Sequence, residues 1–199
     1  MMRLWIVAAL AAAQPAAAEA PSAATKAANS AVAAALPFGD TEDFDFAGRG
    51  LLARPDADVL GADGRVIRSF ADDAKMAGAV PDTVNPSLWR NAQLVSGSGL
   101  FAVVPGIWQV RGFDLANMTL IRGKTGLIVV DPLTTVETAR AAIALARQHL
   151  GDLPVTAVIY THSHIDHFGG VRGIVDEADV KAGKVRIYAP DGFMEHAIS

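Results

Sequence analysis

Thr161-His162-Ser163-His164-Ile165-Asp166-His167-Phe168-Gly169-Gly170 places three of the five histidines and one carboxylate within a few positions of one another. Imidazole and carboxylate are the borderline ligands that suit Zn²⁺ and similar metals. In extended chain, residues two apart project to the same side, so His162 and His164 can share one ion. Asp166 and His167 are adjacent and have to diverge, which a loop or a helix start permits. There they can hold a second ion beside the first. Two ions about 3.5–4 Å apart can hold an attacking water and a substrate oxygen together. Gly169 and Gly170 would let backbone pass close to such a site. A His-rich surface loop is the plain alternative, but H-x-H-x-D-H spacing framed by a strand and a Gly pair argues against it. A closed structural zinc site would favour Cys, and the chain has none.

Working outward, Val155 to Tyr160 reads as a buried strand that delivers the chain into the cluster. Before it, Thr134 and Glu137 suggest a capping box. Val136, Ala139, Ile143, Ala146 and Leu150 trace one helical face, and Gly151 ends it. Leu127 to Val130 is apolar on both faces and predicts a central strand. Leu100 to Val104, Ile107 to Arg111 and Asn117 to Arg122 predict three more strands, the first two joined by Pro105-Gly106. The order is β-β-β-α-β, with ligands at the carboxyl end of a strand, where open α/β sheets place their sites. After the cluster, Val171 to Val175 reads as helix, Val185 to Ala189 as strand, and Asp191 to Ser199 as a helix capped by Asp191. Earlier in the chain, Thr41 to Leu52 predicts a short helix. Asp63-Gly64 predicts a hairpin. Ser87 to Leu94 predicts a helix with Ser87 as its cap.

The 199 residues suffice for one domain with a real core. Net charge is −4 and no basic stripe is visible, which argues against a nucleic-acid partner. Met1-Met2-Arg3, the apolar run Leu4 to Ala13, Gln14-Pro15 and the small residues to Ala20 read as an export signal, too short for a membrane span. The expected division is a signal peptide over 1–20, an Ala-rich linker over 21–40 with 21–36 a linker or loose helix, an N-terminal segment of the catalytic region over 41–99, and the metal-bearing region over 100–199. The expected location is periplasmic or secreted. With no Cys, an exported chain relies on packing and on metal rather than disulfides.

The strand-plus-His-cluster arrangement, with Val130-Asp131-Pro132 one strand-helix unit earlier, resembles the metallo-β-lactamase superfamily. Asn85 to Arg90, Gln109 to Thr119, Tyr160 to Gly173 and Gly192 to His196 together resemble its bacterial alkyl sulfatases. The resemblance implies an α/β fold, the αββα metallo-β-lactamase-type sandwich, with 100–199 a partial domain of that kind. It implies that His162 and His164 ligate one zinc ion and Asp166 and His167 a second. Asp166 also orients the attacking water, and Asp131 matches the acid that braces the metal-binding loop. The implied substrate is a linear alkyl sulfate ester, and the implied assembly a homodimer. In that family two glutamates and another histidine complete the metal shell further on, and two more domains follow. The chain is therefore expected to be the N-terminal part of such an enzyme, with only the N-terminal half of the sandwich present, and inactive alone.

Other residues carry weaker signals. Arg111, Arg122 and Arg172 are candidate sulfate partners by charge alone and read first as solvated surface. Asn117 reads as a turn or strand start that could line a site. His149 suits the C-terminal end of its helix. Glu195 and His196 lack ligand spacing, and Trp89 and Trp108 read as packing.

Overall fold

The computed structural model describes residues 20–199. The expected export signal up to Glu19 lies outside the described residues. Helix α1, Ala23–Ala35, is dominated by alanine, the strongest helix former. The Ser22 hydroxyl accepts the Thr25 N–H at 3.1 Å. No residue of α1 is buried.

Helix α2, Glu42–Gly48, is shorter than predicted. Gly50 adopts φ 77, and its carbonyl accepts the Ala102 N–H at 2.7 Å. The chain is thereby turned into strand β1, Leu51–Ala53, antiparallel to the later strand at Gly99–Val104. Leu51 and Leu52 thus leave the predicted helix because a neighbouring strand's edge binds their backbone, a pull that helical periodicity does not register. The hairpin at Asp63-Gly64 forms as predicted, joining β2, Val59–Leu60, to β3, Val66–Arg68. Helix α3, Pro86–Val95, begins one residue earlier than expected. Asn85, not Ser87, is its cap and accepts the Ser87 N–H at 2.9 Å. The ring of Pro86 is preorganised for the first helical position.

The main sheet has seven strands in the order β1-β4-β5-β6-β7-β8-β9. β4 is Gly99–Val104, β5 Ile107–Arg111, β6 Met118–Arg122, β7 Leu127–Val130, β8 Val155–Ile159 and β9 Arg186–Tyr188. The run from β1 to β7 is antiparallel, and β7, β8 and β9 are parallel. Helix α4, Val136–Leu150, makes the crossover from β7 to β8. Leu100, Val110, Met118, Leu120, Leu127, Val129 and Val158 on one sheet face form a single core with Ala139, Ala142, Ile143 and Ala146 of α4. β7 is interior to the sheet as predicted, but Ile128 and Val130 on its second face are only half-buried.

The cap of α4 is Thr135 rather than Thr134, its hydroxyl accepting the Thr138 N–H at 3.1 Å. Thr135→Ala is expected to cost about 1 kcal/mol, read as a lower midpoint in urea with unchanged slope. Val171–Gly173 is a 3-10 turn rather than the predicted helix. Short helices α5, Glu177–Lys181, and α6, Phe193–Ile198, flank β9. Gly192, not Asp191, caps α6, while Asp191 accepts the Gly192 N–H at 3.1 Å. Among the described residues no helix is long and apolar enough to cross a membrane.

Candidate metal centre

The backbone around the His cluster is set by two parallel strand ends. The Asp131 N–H donates to the Ile159 carbonyl at 3.0 Å and the Tyr160 N–H to the Tyr188 carbonyl at 2.9 Å. Beyond these bonds the chain leaves the sheet. His162 lies in a bend and His164, though extended at φ −77 and ψ 139, belongs to no strand, while Asp166 and His167 occupy the 3-10 turn Ile165–His167. The alternation invoked for the H-x-H pair therefore does not apply, yet the rings still gather. The His162 ring centroid lies 4.7 Å from that of His164 and 4.0 Å from that of His167. His162 and His164 are at the surface, and Asp166 and His167 half-buried.

Asp131 organises the cluster from beneath. It is 7% exposed and has φ 55, a left-handed conformation that Asp tolerates better than most residues. One carboxylate oxygen accepts the Thr161 N–H at 2.8 Å. The other accepts the Thr161 hydroxyl at 2.7 Å and faces His167 Nδ1 at 2.8 Å. An ionised carboxylate only accepts, so His167 Nδ1 carries a proton and Nε2 is left for a second partner. The same reasoning reaches His162. Thr161 Oγ1 has spent its one proton on Asp131, so at 3.0 Å it accepts from His162 Nδ1. That ring too is left with Nε2 free.

A carboxylate or hydroxyl on one imidazole nitrogen, leaving the other bare, is the outer arrangement of metal-binding histidines. A second observation fits a cation: Asp166 Oδ2 faces His167 Nε2 at 3.3 Å. A carboxylate opposite an imidazole lone pair is repulsive unless a proton or metal lies between them. Among the described residues no group of three or more His, Asp or Glu already has the convergence that a bound ion needs. The donors are gathered and oriented but not closed into a shell. His162, His164, Asp166 and His167 fit a borderline metal by chemistry, with room for further ligands. Asp131→Asn, which keeps the shape and weakens the hold on His167, is expected to lower metal affinity about 10–100-fold, measured by competition with a chromophoric chelator.

Behind the loop, Tyr160, Phe168 and Phe193 form an aromatic triangle with centroids 5.1–5.8 Å apart. Burial pushes the Tyr160 phenol up to about 12. Gly169 and Gly170 permit a close approach, as expected, but to the β7–α4 connection. An added Cβ would lie 2.3 Å from the Thr134 carbonyl oxygen at Gly169 and 2.3 Å from that of Pro132 at Gly170.

The three arginines are occupied elsewhere. Arg111 stacks over Phe101 at 4.5 Å and donates to Gln109 at 3.0 Å, and burial lowers its pKa. Arg122 lies over Trp108 at 5.6 Å and reaches the Leu150 carbonyl. Arg172 pairs with Glu177 at 2.9 Å. His149 sits in the last turn of α4, and Glu195 and His196 are exposed on α6. Trp108 packs against the core, and Trp89 donates to the Gly78 carbonyl. Asn117 is exposed and lines a cleft of about 640 Å³ with Asp114, Leu115, Thr134 and Thr138. Asp114 is the residue that sequence reasoning left without a role. It binds Thr134 and Thr138, which lie 20 and 24 positions away, and no local spacing announces a contact of that span.

Residues 111–199 match the family described as the metallo-beta-lactamase superfamily. Alkylsulfatases are among the proteins the chain resembles. It is 55% identical over 183 residues to an (R)-specific secondary-alkylsulfatase of Pseudomonas sp., covering 89% of this chain and 27% of the relative. It is 48% identical over 174 residues to an alkyl/aryl-sulfatase of Saccharomyces cerevisiae, covering 86% of this chain and 27% of the relative. The structure of the inverting sec-alkylsulfatase Pisa1 from Pseudomonas sp. superposes with a TM-score of 0.87 at 52% identity, over 93% of this chain and 29% of that one. The chain therefore spans about 27% of the length of these sulfatases. The seven-stranded sheet with α4 on one face belongs to the part of the fold that this chain shares with that sulfatase structure.

Proposed function

We propose that the chain is the N-terminal part of a zinc-dependent hydrolase of linear alkyl sulfate esters. The observation that carries this is the gathered imidazole group whose Nδ1 atoms are held by Asp131 and Thr161. The alkylsulfatases it resembles support the substrate class. In this reading His162 and His164 hold one ion and Asp166 and His167 a second. Zinc bound there supplies Lewis acidity and brings the pKa of water toward about 7. The protein's own part is orientation. Asp131 fixes the His167 tautomer, Thr161 relays that hold to His162, and Asp166 orients the attacking water as well as binding metal. The sulfate group needs cationic or hydrogen-bonding partners. Arg111, Arg122 and Arg172 are engaged as described above, so that clamp comes from other residues.

The product of the complete coding sequence is assayed with dodecyl sulfate, a cephalosporin and a thioester. Sulfate release from the first supports the reading. Turnover of only the other two would replace it with a different hydrolase of the superfamily. The 199 residues alone are expected to bind zinc weakly and turn over dodecyl sulfate negligibly. Four protein donors fall short of the roughly eight contacts that two four-coordinate ions require. Calorimetry showing two tightly bound zinc ions per chain would contradict this. Export is proposed from residues 1–20, with a periplasmic or secreted product, and is checked by cell fractionation with N-terminal sequencing. Homodimeric assembly of the complete enzyme follows from the resemblance and is checked by light scattering.

A further inference from the structure

Residues 131–135, the connection from β7 to α4, carry unusual backbone. Asp131 (φ 55) and Leu133 (φ 65) are the non-glycine residues with positive φ among those described. Leu133 is fully buried and branched, and it has no side-chain hydrogen bond to relieve that conformation. Such backbone persists only where its surroundings over-determine it.

Two groups enclose the connection. On one side lie Gly169 and Gly170, and the Gly170 N–H donates to the Leu133 carbonyl at 2.8 Å. On the other side lies the Asp114 carboxylate. One of its oxygens accepts the Thr134 hydroxyl at 2.6 Å and the Leu115 N–H at 2.7 Å. The other accepts the Thr138 hydroxyl at 2.6 Å and the Thr134 N–H at 3.1 Å. All four donors are neutral. The anion also faces the first turn of α4, where the helix dipole favours it. It is not the ordinary cap, because Thr135 already fills that role.

The geometry points to Asp114 as a positioning residue of the metal centre. Its carboxylate pins Thr134 and Thr138 and thereby holds the 131–135 turn. That turn sets the direction in which Asp131 meets Thr161 and His167. Asp114 touches neither substrate nor the reacting atoms and acts through Asp131. The inference rests on the proposed reading of the His cluster as a metal site, and a metal-free readout separates the two.

The test compares Asp114→Ala and Asp114→Asn with Ile143→Val, a core change on α4 remote from the turn, all in the full chain. The first readout is the His167 ring in ¹⁵N-edited NMR without metal. The second is zinc affinity by competition with a chromophoric chelator. Asp114→Ala is expected to remove the hydrogen-bonded His167 Nδ1 proton signal and to weaken zinc binding about tenfold, the lower end for loss of an outer partner. Asp114→Asn falls between it and the unaltered chain, and Ile143→Val moves only the melting temperature. Should Asp114→Ala fail to fold, Thr138→Val, which removes one donor, is expected to give a smaller change of the same kind in both readouts. Unchanged His167 signals and unchanged zinc affinity in the folded variants would overturn the inference and leave Asp114 a stabiliser of α4. An unaltered product of the complete coding sequence that takes up no zinc would instead count against the proposed function, while the His167 signal still judges Asp114.

Discussion

Asp166→Asn in the product of the complete coding sequence is expected to lower kcat/KM on dodecyl sulfate by more than about a hundredfold. Loss of an outer partner alone costs about 10–100-fold in affinity or activity, and Asp166 is assigned both to a metal and to the attacking water. The exchange keeps the shape of the side chain. The 3-10 turn Ile165–His167 is held by backbone bonds, His167 N–H to the His164 carbonyl at 3.0 Å and Gly169 N–H to the Ile165 carbonyl at 2.8 Å, so it should survive. The negative charge opposite His167 Nε2 does not. Metal content measured by elemental analysis should fall alongside activity, with the melting curve of the metal-stripped protein little changed. Full turnover together with full metal content in the Asp166→Asn variant would remove Asp166 from the site.

Gly170→Ala is expected to destabilise the fold by about 3 kcal/mol or more. Gly170 has φ −82, so no conformational preference is violated. The obstacle is space. A Cβ would stand 2.3 Å from the Pro132 carbonyl oxygen, 2.6 Å from that of Thr135 and 2.8 Å from the Ala139 methyl group. Two of these are backbone atoms of a connection already enclosed on both sides, so neither can move aside cheaply. Overpacking of a yielding core costs about 1–3 kcal/mol, and rigid surroundings lie at or above the top of that range. Urea unfolding followed by circular dichroism measures it. A midpoint within error of the unaltered chain would show that the connection yields more readily than its contacts suggest.

The sequence was most legible where one local pattern dominates. Leu127 to Val130 lacks polar interruption and lies inside the sheet. Asp63-Gly64 makes the hairpin its turn chemistry requires, and the apolar stripe from Ala139 to Ala146 faces the core. The composition and spacing of the His cluster singled out imidazoles whose rings the fold does gather. Legibility failed where a distant partner outweighs local preference. Leu51 and Leu52 continue a helical pattern but are taken by the edge of β4. Thr134 reads as a cap, yet Asp114 draws its hydroxyl away and the helix starts after Thr135. Val171 to Val175 reads as helix, but Gly170 and Gly173 press flush against residues 132–136 and leave space for only a tight turn. Asp114 itself shows why: its partners are fixed by how β5 and α4 dock, which hydrophobic periodicity does not encode.

The bond from Asp131 to His167 spans 36 residues. A nascent chain emerging from the ribosome therefore gains this bond only after the entire crossover through α4 has folded back on β7. A short synthetic peptide copying Thr161 to Gly170 would display the same donors with both imidazole tautomers in free exchange.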